Sequence, residues 1–295
     1  MNINFEYYKI FYYVAKYGNL TKAAHVLGNS QPNITRAMNC LESEIRCTLF
    51  IRTNRGVRLT PEGERLYTRV SAAMAQLQLA EEELTDSTGL EHGSISIGAS
   101  ETALSIYLLE RLKHFHMTYP NIRLKIYNHS TPQAVHSVKN GEIDFAIVTT
   151  PTTAKPPLKE IRLESFREVL VGGKTFTALS SQTLTLAELK NYPLICLGRE
   201  TMTFAFYHQL FLSHGLELEP DTEAATTDQI LPLVKSDLGL AFIPESMAIP
   251  AIQNHEVIPI HLQETIPCRY VCMVSDVKRP LNSAARKLKD LILHS

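Results

Sequence analysis

The sequence predicts an α/β chain of several domains: a small helical head, one connecting helix, and a larger body of alternating strands and helices. Three observations predict it. Apolar residues recur at helical three- and four-residue spacing through the first 85 residues; after Gly93 they form short strand-like runs alternating with helical stretches. Charge is divided as well. Residues 1–60 hold eight basic side chains against three acidic ones, net +5, so the remainder carries −6 of an overall −1. Finally, 295 residues at 44% hydrophobic content exceed one small domain and support sizeable cores.

Composition removes several classes. No apolar run reaches the roughly 18 residues that span a membrane. The opening MNINFEYYKIF lacks the basic-then-apolar layout of a signal peptide. A cytoplasmic protein without membrane contact is therefore expected. Cys40, Cys47, Cys196, Cys268 and Cys272 are odd in number and include no CxxC pair, which argues against disulfides and zinc. Cys268 and Cys272, in an apolar strand-like stretch, read as plain buried thiols. Cys196, in YPLICLG, lies nearer a possible pocket, where a redox role is the weaker alternative. No GxSxG, HExxH, P-loop or GxGxxG pattern occurs. His114 and His116 are two apart on a predicted helix and point to different faces. No catalytic residue, cofactor or metal is expected.

The head reads as three helices and a hairpin. Phe5, Tyr8, Phe11, Tyr12 and Ala15 mark one buried face of the first helix, which Gly18 ends. Leu20–Leu27 is the second, with small Ala23 and Ala24 permitting close approach. Gly28 makes the turn, and Ser30 is placed to cap a third helix with Pro32 in its first turn. Ile34, Met38, Leu41 and Ile45 form its buried stripe. Gln31, Asn33, Thr35 and Arg36 occupy the other face; amides suit adenine, guanidinium suits guanine, and hydroxyls suit phosphate. Each such residue alone reads best as a solvated helix face. The helix–Gly–helix order and the arginine hairpin that follows favour duplex DNA. That hairpin has Asn54-Arg55-Gly56 at its turn and Arg52, Arg55 and Arg58 along a phosphate track. An RNA binder, and a head that serves protein contacts, are the competing readings.

This segment resembles the winged helix-turn-helix of LysR-type transcriptional regulators. The resemblance rests on Gly18-Asn19-Leu20-Thr21-Lys22-Ala23-Ala24, Ser30-Gln31-Pro32, Leu41-Glu42, Leu49-Phe50-Ile51-Arg52 and Arg58-Leu59-Thr60-Pro61-Glu62-Gly63. Asn33 departs from the family's usual small apolar residue, and Thr35 from a frequent serine. The DNA-contact set is then Thr21, Ser30, Gln31, Pro32, Asn33, Thr35, Arg36, Arg52, Asn54, Arg55 and Arg58, within a domain of residues 1–60.

Residues 61–88 form the linker. Thr60 can cap a helix that opens at Pro61. Leu66, Val70, Ala73, Leu77, Ala80 and Leu84 follow as a heptad seam for dimerisation. A dimer presents two reading heads to a two-fold operator. Asp86-Ser87-Thr88-Gly89 reads as a hinge.

The body, 89–295, opens with strand Ser94–Ala99, helix Thr102–Met117, strand Ile122–Tyr127, helix Gln133–Lys139 and strand Ile143–Val148. This βαβαβ order implies a parallel sheet. Strands near Glu168–Val171, Leu194–Leu197, Thr222–Ala225 and Gly239–Ile243 follow, with helices near Leu186–Lys190, Phe204–Ser213 and Asp228–Lys235. Tyr270–Ser275 is a last strand and Ser283–Leu293 a closing helix. GEIDFAIV and GLAFIP carry a looser resemblance to the LysR-type effector domain, of periplasmic-binding-protein fold. That resemblance implies lobe I at 89–163 and 267–295, lobe II at 164–266, and a tetramer as the functional assembly.

In such folds a ligand sits beyond the carboxyl ends of strands, between the lobes. Ser100, Glu101, Thr102, Thr149, Thr150, Glu200, Thr201, Thr203, Thr226 and Asp228 fall there. The hydroxyls suit an anion, or merely cap helices. Glu101 and Glu200 suit an ammonium group, with Arg199 available to pair with one of them. The expected partners are double-stranded DNA, a small-molecule effector, a second copy in a homodimer or homotetramer, and RNA polymerase when activating.

Overall fold

The computed structural model describes residues 3–53, 56–85 and 93–294, with backbone alone at 53 and 78–85. The chain divides into two compact units, the head with its long helix and the body.

In the head, α1 (Phe5–Tyr17) begins at Asn4, whose side chain accepts from the Glu6 N–H, and stops at Gly18 with φ 60°. The Asn19 side chain starts α2 (Leu20–Val26) in the same way, accepting from Lys22 N–H. Gly28, also at φ 60°, turns the chain into α3 (Gln31–Ile45). Ser30 stands at the N-cap of α3, but its side chain makes no capping hydrogen bond. Phe11, Val14, Ala23, Ala24, Ile34, Met38 and Leu41 close the core. The stripe on α1 is rotated from the expected one: Ile10, Phe11 and Val14 are buried while Phe5 is 53% exposed. On α3, Ala37 joins the core and Ile45 is only partly buried.

Strands β1 (Phe50–Thr53) and β2 (Gly56–Leu59) form the antiparallel wing. Asn54 and Arg55 lie outside the described residues. Helix α4 (Pro61–Thr85) opens where Thr60 Oγ1 accepts from Gly63 N–H at 3.0 Å. The expected seam is divided along this helix. Val70 is buried in the head's own core with Met74, and Leu66 packs against them, so these two serve the head first. Ala73 and Leu77 are exposed. The side chains of Ala80 and Leu84 and the hinge 86–89 lie outside the described residues.

The body holds two sheets. The first is built from β3 (Gly93–Ala99), β4 (Ile122–Asn128), β5 (Phe145–Thr149), β6 (Leu158–Phe166) and β13 (Arg269–Asp276), in the order β4-β3-β5-β13-β6. Its first three strands are parallel; β13 and β6 add antiparallel pairings. Strand β5 is buried throughout because sheet neighbours flank it and helices cover both faces. Those helices are α5 (residues 101–118, with a π-helical turn at Leu104–Leu108), α6 (Thr131–Asn140) and a closing helix, Ser283–His294.

The second sheet is built from β7 (Glu168–Gly172), β8 (Thr183–Leu184), β11 (Ala241–Pro244) and β12 (Ile258–Leu262), in the order β11-β7-β12-β8. A parallel pair, β9 (Ile195–Leu197) and β10 (Thr222–Ala224), joins it through the Leu194–Leu240 bridge. Around it pack α7 (Met202–Ser213), α8 (Thr227–Lys235), α9 (Glu245–Gln253) and 3₁₀ turns at Lys174–Ser181 and Leu186–Asn191. Strands β6, β8 and β12 and helix α9 are additions to the sequence reading. The chain crosses between sheets at Arg167 and again over 263–268. The first lobe therefore runs to Phe166, not 163. Cys268 lies in the second crossover, before β13 starts. It is exposed, against expectation, while Cys272 in the strand is buried.

Candidate DNA interface and effector cleft

The leading half of α3 presents its polar side chains outward. Ser30, Gln31, Pro32, Asn33 and Arg36 are exposed, with Thr21 on α2; Thr35 is half-buried. Two of them have standing partners. Gln31 Nε2 donates to Thr35 Oγ1 at 3.3 Å, and Asn33 Nδ2 donates to Asn29 Oδ1 at 3.0 Å.

The wing is fastened to this helix. Glu42 Oε1 accepts from the backbone N–H groups of Leu49 and Phe50 at 2.6 and 3.0 Å. Arg52 Nη2 donates to Asn39 Oδ1 at 2.5 Å. Two glycines allow the close approaches this needs. A Cβ at Gly63 would lie 2.2 Å from the Leu49 carbonyl oxygen, and one at Gly56 would lie 2.3 Å from that of Gly18. Arg52 and Arg58 are exposed on the hairpin. Such a rigid helix-plus-hairpin places one element for a groove and cations for the backbone.

In the body, a cleft of about 270 Å³ opens between the lobes beyond the carboxyl ends of the strands. Ser100, Glu101, Thr102, Thr149, Glu200, Thr201, Thr203 and Thr226 line it. Two expected residues do not. Asp228 faces solvent outside the lining, because it points away on the first turn of α8. Thr150 is used by the fold: its hydroxyl accepts from Tyr270 N–H at 3.0 Å and its carbonyl from Arg269 Nε–H at 3.0 Å. The sequence reading omitted the loop after β4, where Asn128, His129, Ser130 and Gln133 add polar lining.

Some lining hydroxyls are spent on the fold. Thr201 Oγ1 accepts from Phe204 N–H and donates to the Gly198 carbonyl, so it is a cap. Thr131 Oγ1 donates to the Thr149 carbonyl at 3.4 Å. Thr102 of lobe I and Thr227 of lobe II meet hydroxyl to hydroxyl at 3.1 Å, a direct tie across the cleft. Arg199 pairs with Glu223 at 3.3 Å, not with Glu101 or Glu200.

Beneath the cleft floor lies a group the sequence did not announce. Arg269, 1% exposed, meets Glu168, 2% exposed, at 2.6 Å. The guanidinium also donates to the hydroxyls of Thr149 and Thr203 from the two lobes, at 2.9 and 3.0 Å. A deeper cavity of about 20 Å³ adjoins, room for one water-sized group. Glu168 and Tyr207 line it, and among the described residues Glu168 Oε2 and the Tyr207 hydroxyl have no partner at hydrogen-bonding geometry. Burial first, and then the neighbouring Glu168 carboxylate, push the Tyr207 hydroxyl well above its ordinary pKa. Cys196 borders the same cavity. Burial, with a smaller contribution from Glu223, pushes its thiol up to about 12, which keeps it protonated and unreactive at neutral pH.

A fastened helix-and-wing head and a two-lobed body with a polar cleft define a DNA-binding regulator that carries a ligand-binding domain. Comparison with known families agrees over nearly the whole chain. Residues 5–64 match the bacterial regulatory helix-turn-helix protein model of the lysR family, and residues 88–295 match the LysR substrate binding domain. The chain belongs to the LysR family of transcriptional regulators. It is 28% identical over 253 residues to the HTH-type transcriptional regulator YofA of Bacillus velezensis, covering 86% of this chain and 84% of that one. To the regulator TdcA of Escherichia coli K12 it is 26% identical over 288 residues, 96% of this chain and 90% of that one. A full-length OxyR structure from Pseudomonas aeruginosa shares the fold at a TM-score of 0.76 and 18% identity, covering 99% of this chain and 94% of that one.

Proposed function

We propose that Gln31, Asn33, Thr35 and Arg36 read base edges in a major groove, with Thr21, Ser30 and Pro32 beside them. Arg52 and Arg58, with Asn54 and Arg55 at the wing tip, hold the backbone. The observation that carries this reading is the exposed polar leading half of α3, locked to a basic wing through Glu42. The cleft between the lobes receives a small-molecule effector, whose different affinity for two arrangements of the assembly alters DNA binding. Two copies pair through α4, for which exposed Ala73 and Leu77 remain available; a tetramer is the working assembly. The protein acts in the cytoplasm, and as an activator it meets RNA polymerase. Among the described residues no helix is long and apolar enough to cross a membrane.

Gel-shift titration on the intergenic DNA upstream of its own gene tests the head. Arg36→Ala should weaken specific binding by about 1–3 kcal/mol and relax sequence preference. Arg58→Ala should weaken all DNA alike and reduce the salt slope by about one. Equal effects of the two variants on every sequence would reject the division of roles.

A further inference from the structure

The hydrogen-bond polarity of the cleft identifies the class of its ligand. Arginine can only donate. Arg269 Nη2 donates to Thr149 Oγ1 and Thr203 Oγ1 at once, at 2.9 and 3.0 Å. Each hydroxyl thereby uses acceptor capacity and keeps its own proton to give. Among the described residues, neither proton has a protein acceptor. Thr149 stands on lobe I and is 2% exposed; Thr203 stands on the first turn of α7 in lobe II. Both line the cleft. Four of the five N–H donors of Arg269 are engaged by the protein, the other two bonds going to Glu168 and the Thr150 carbonyl, and its side chain borders the deeper cavity and not the cleft itself. It is a positioning residue that turns two threonines from opposite lobes into a donor pair.

The upper part of the cleft has the opposite character. Glu101 and Glu200 line it, and among the described residues no lysine or arginine does. Glu101 accepts from Ser105 and weakly from Asn128, and neither acid is in an ion pair among the described residues. A donor floor asks for a carboxylate; an acidic rim asks for a cation.

We propose that the effector is a small zwitterion of the α-amino acid type. Its carboxylate sits between Thr149 and Thr203, and its ammonium faces Glu101 and Glu200. A cleft of about 270 Å³ suits that size. This rests on the cleft being the effector site, as proposed above.

The test is isothermal titration calorimetry of the full chain with the proteinogenic L-α-amino acids, each compared with its deaminated acid and its decarboxylated amine. At least one amino acid should bind, with both truncated forms at least about tenfold weaker, the size expected of a lost charged hydrogen bond. Thr203→Val should weaken the amino acid and leave the amine unchanged. Thr203→Ser should restore binding, and Arg269→Lys, which lacks the fork, should repeat the Thr203→Val pattern. Glu200→Gln should weaken the amino acid and leave the deaminated acid unchanged. The proposal is overturned if no amino acid binds, if either truncated form binds as tightly as its parent, or if Thr203→Val weakens acid and amine alike. Should a purely anionic metabolite bind and be lost in Thr203→Val, the cleft stands as the effector site and the zwitterion falls. A ligand indifferent to both Thr203→Val and Glu200→Gln would overturn both.

Discussion

Replacing Arg269 by methionine isolates the contribution of one buried cation. Methionine fills much of the volume, so packing is largely kept and charge is lost. Glu168 then remains as an uncompensated carboxylate at 2% exposure, and the Thr150 carbonyl loses its Nε–H donor. Breaking a buried pair from one side costs about 3–5 kcal/mol, because the abandoned charge keeps its desolvation penalty. Removing both charges relieves that penalty, so Glu168→Leu/Arg269→Met should recover most of the loss. The chain has no tryptophan. Urea unfolding is therefore followed by labelling of Cys196 and Cys272, which are buried in the two lobes and report on the body. A loss below about 1 kcal/mol, or a double variant no more stable than Arg269→Met, would refute the assignment of Arg269 and Glu168 as a desolvated pair.

Three further outcomes are expected. Gly63→Ala should destabilise the head by about 1–3 kcal/mol, because the new methyl meets a backbone oxygen that cannot yield; a thermal melt of the head with and without operator DNA reads it, and an unchanged melt refutes it. Burial holds the Asp144 carboxyl above its ordinary range, although the Ser96 N–H bond opposes this. Its protonation therefore adds stability at low pH that is lost as pH rises through the folded pKa. Asp144→Asn should be more stable than the parent at neutral pH, with the gap closing as pH falls into the carboxylate range; a constant gap between about pH 7 and 4 would contradict this. Native alkylation analysed by mass should modify exposed Cys268 fastest and leave Cys196 and Cys272, both held up to about 12, untouched until the body unfolds.

The head was legible because its signals are local. Gly18 and Gly28 at helix ends and Thr60-Pro61 at the next start each act within a few residues, and the structure uses them; Ser30, read as a cap, makes no capping bond, while Asn19, not read as one, does. The motif pair Leu41-Glu42 has a physical reason visible only in three dimensions, the hold of Glu42 on the wing. In the body, elements with clean periods were readable, even the Pro232-containing helix Thr227–Lys235, whereas two proline-bearing elements of weaker period were not. Pro259 lies inside β12 and Pro250 inside α9. Strand β6 alternates weakly, with charged residues along its exposed face. The cleft was found by asking what lies beyond strand ends, and the same question put to β4 would have added His129 and Gln133. Arg269 was not findable this way. It opens an otherwise apolar strand, and its partners Glu168, Thr149 and Thr203 are 66 to 120 residues away.

The bonds of Gln31 within α3 and of Asn33 to the preceding turn bear on how an operator would be found. On the proposed interface, these amides meet a wrong base with a fallback already in hand, since Thr35 and Asn29 satisfy them in the free protein. A mismatch then leaves one N–H of each amide paired, which lowers the penalty of non-operator DNA at those positions. The head can then travel along arbitrary sequence held by its arginines. On that interface the discrimination left to the two amides is smaller than that of Arg36, and engaging two half-sites together multiplies it.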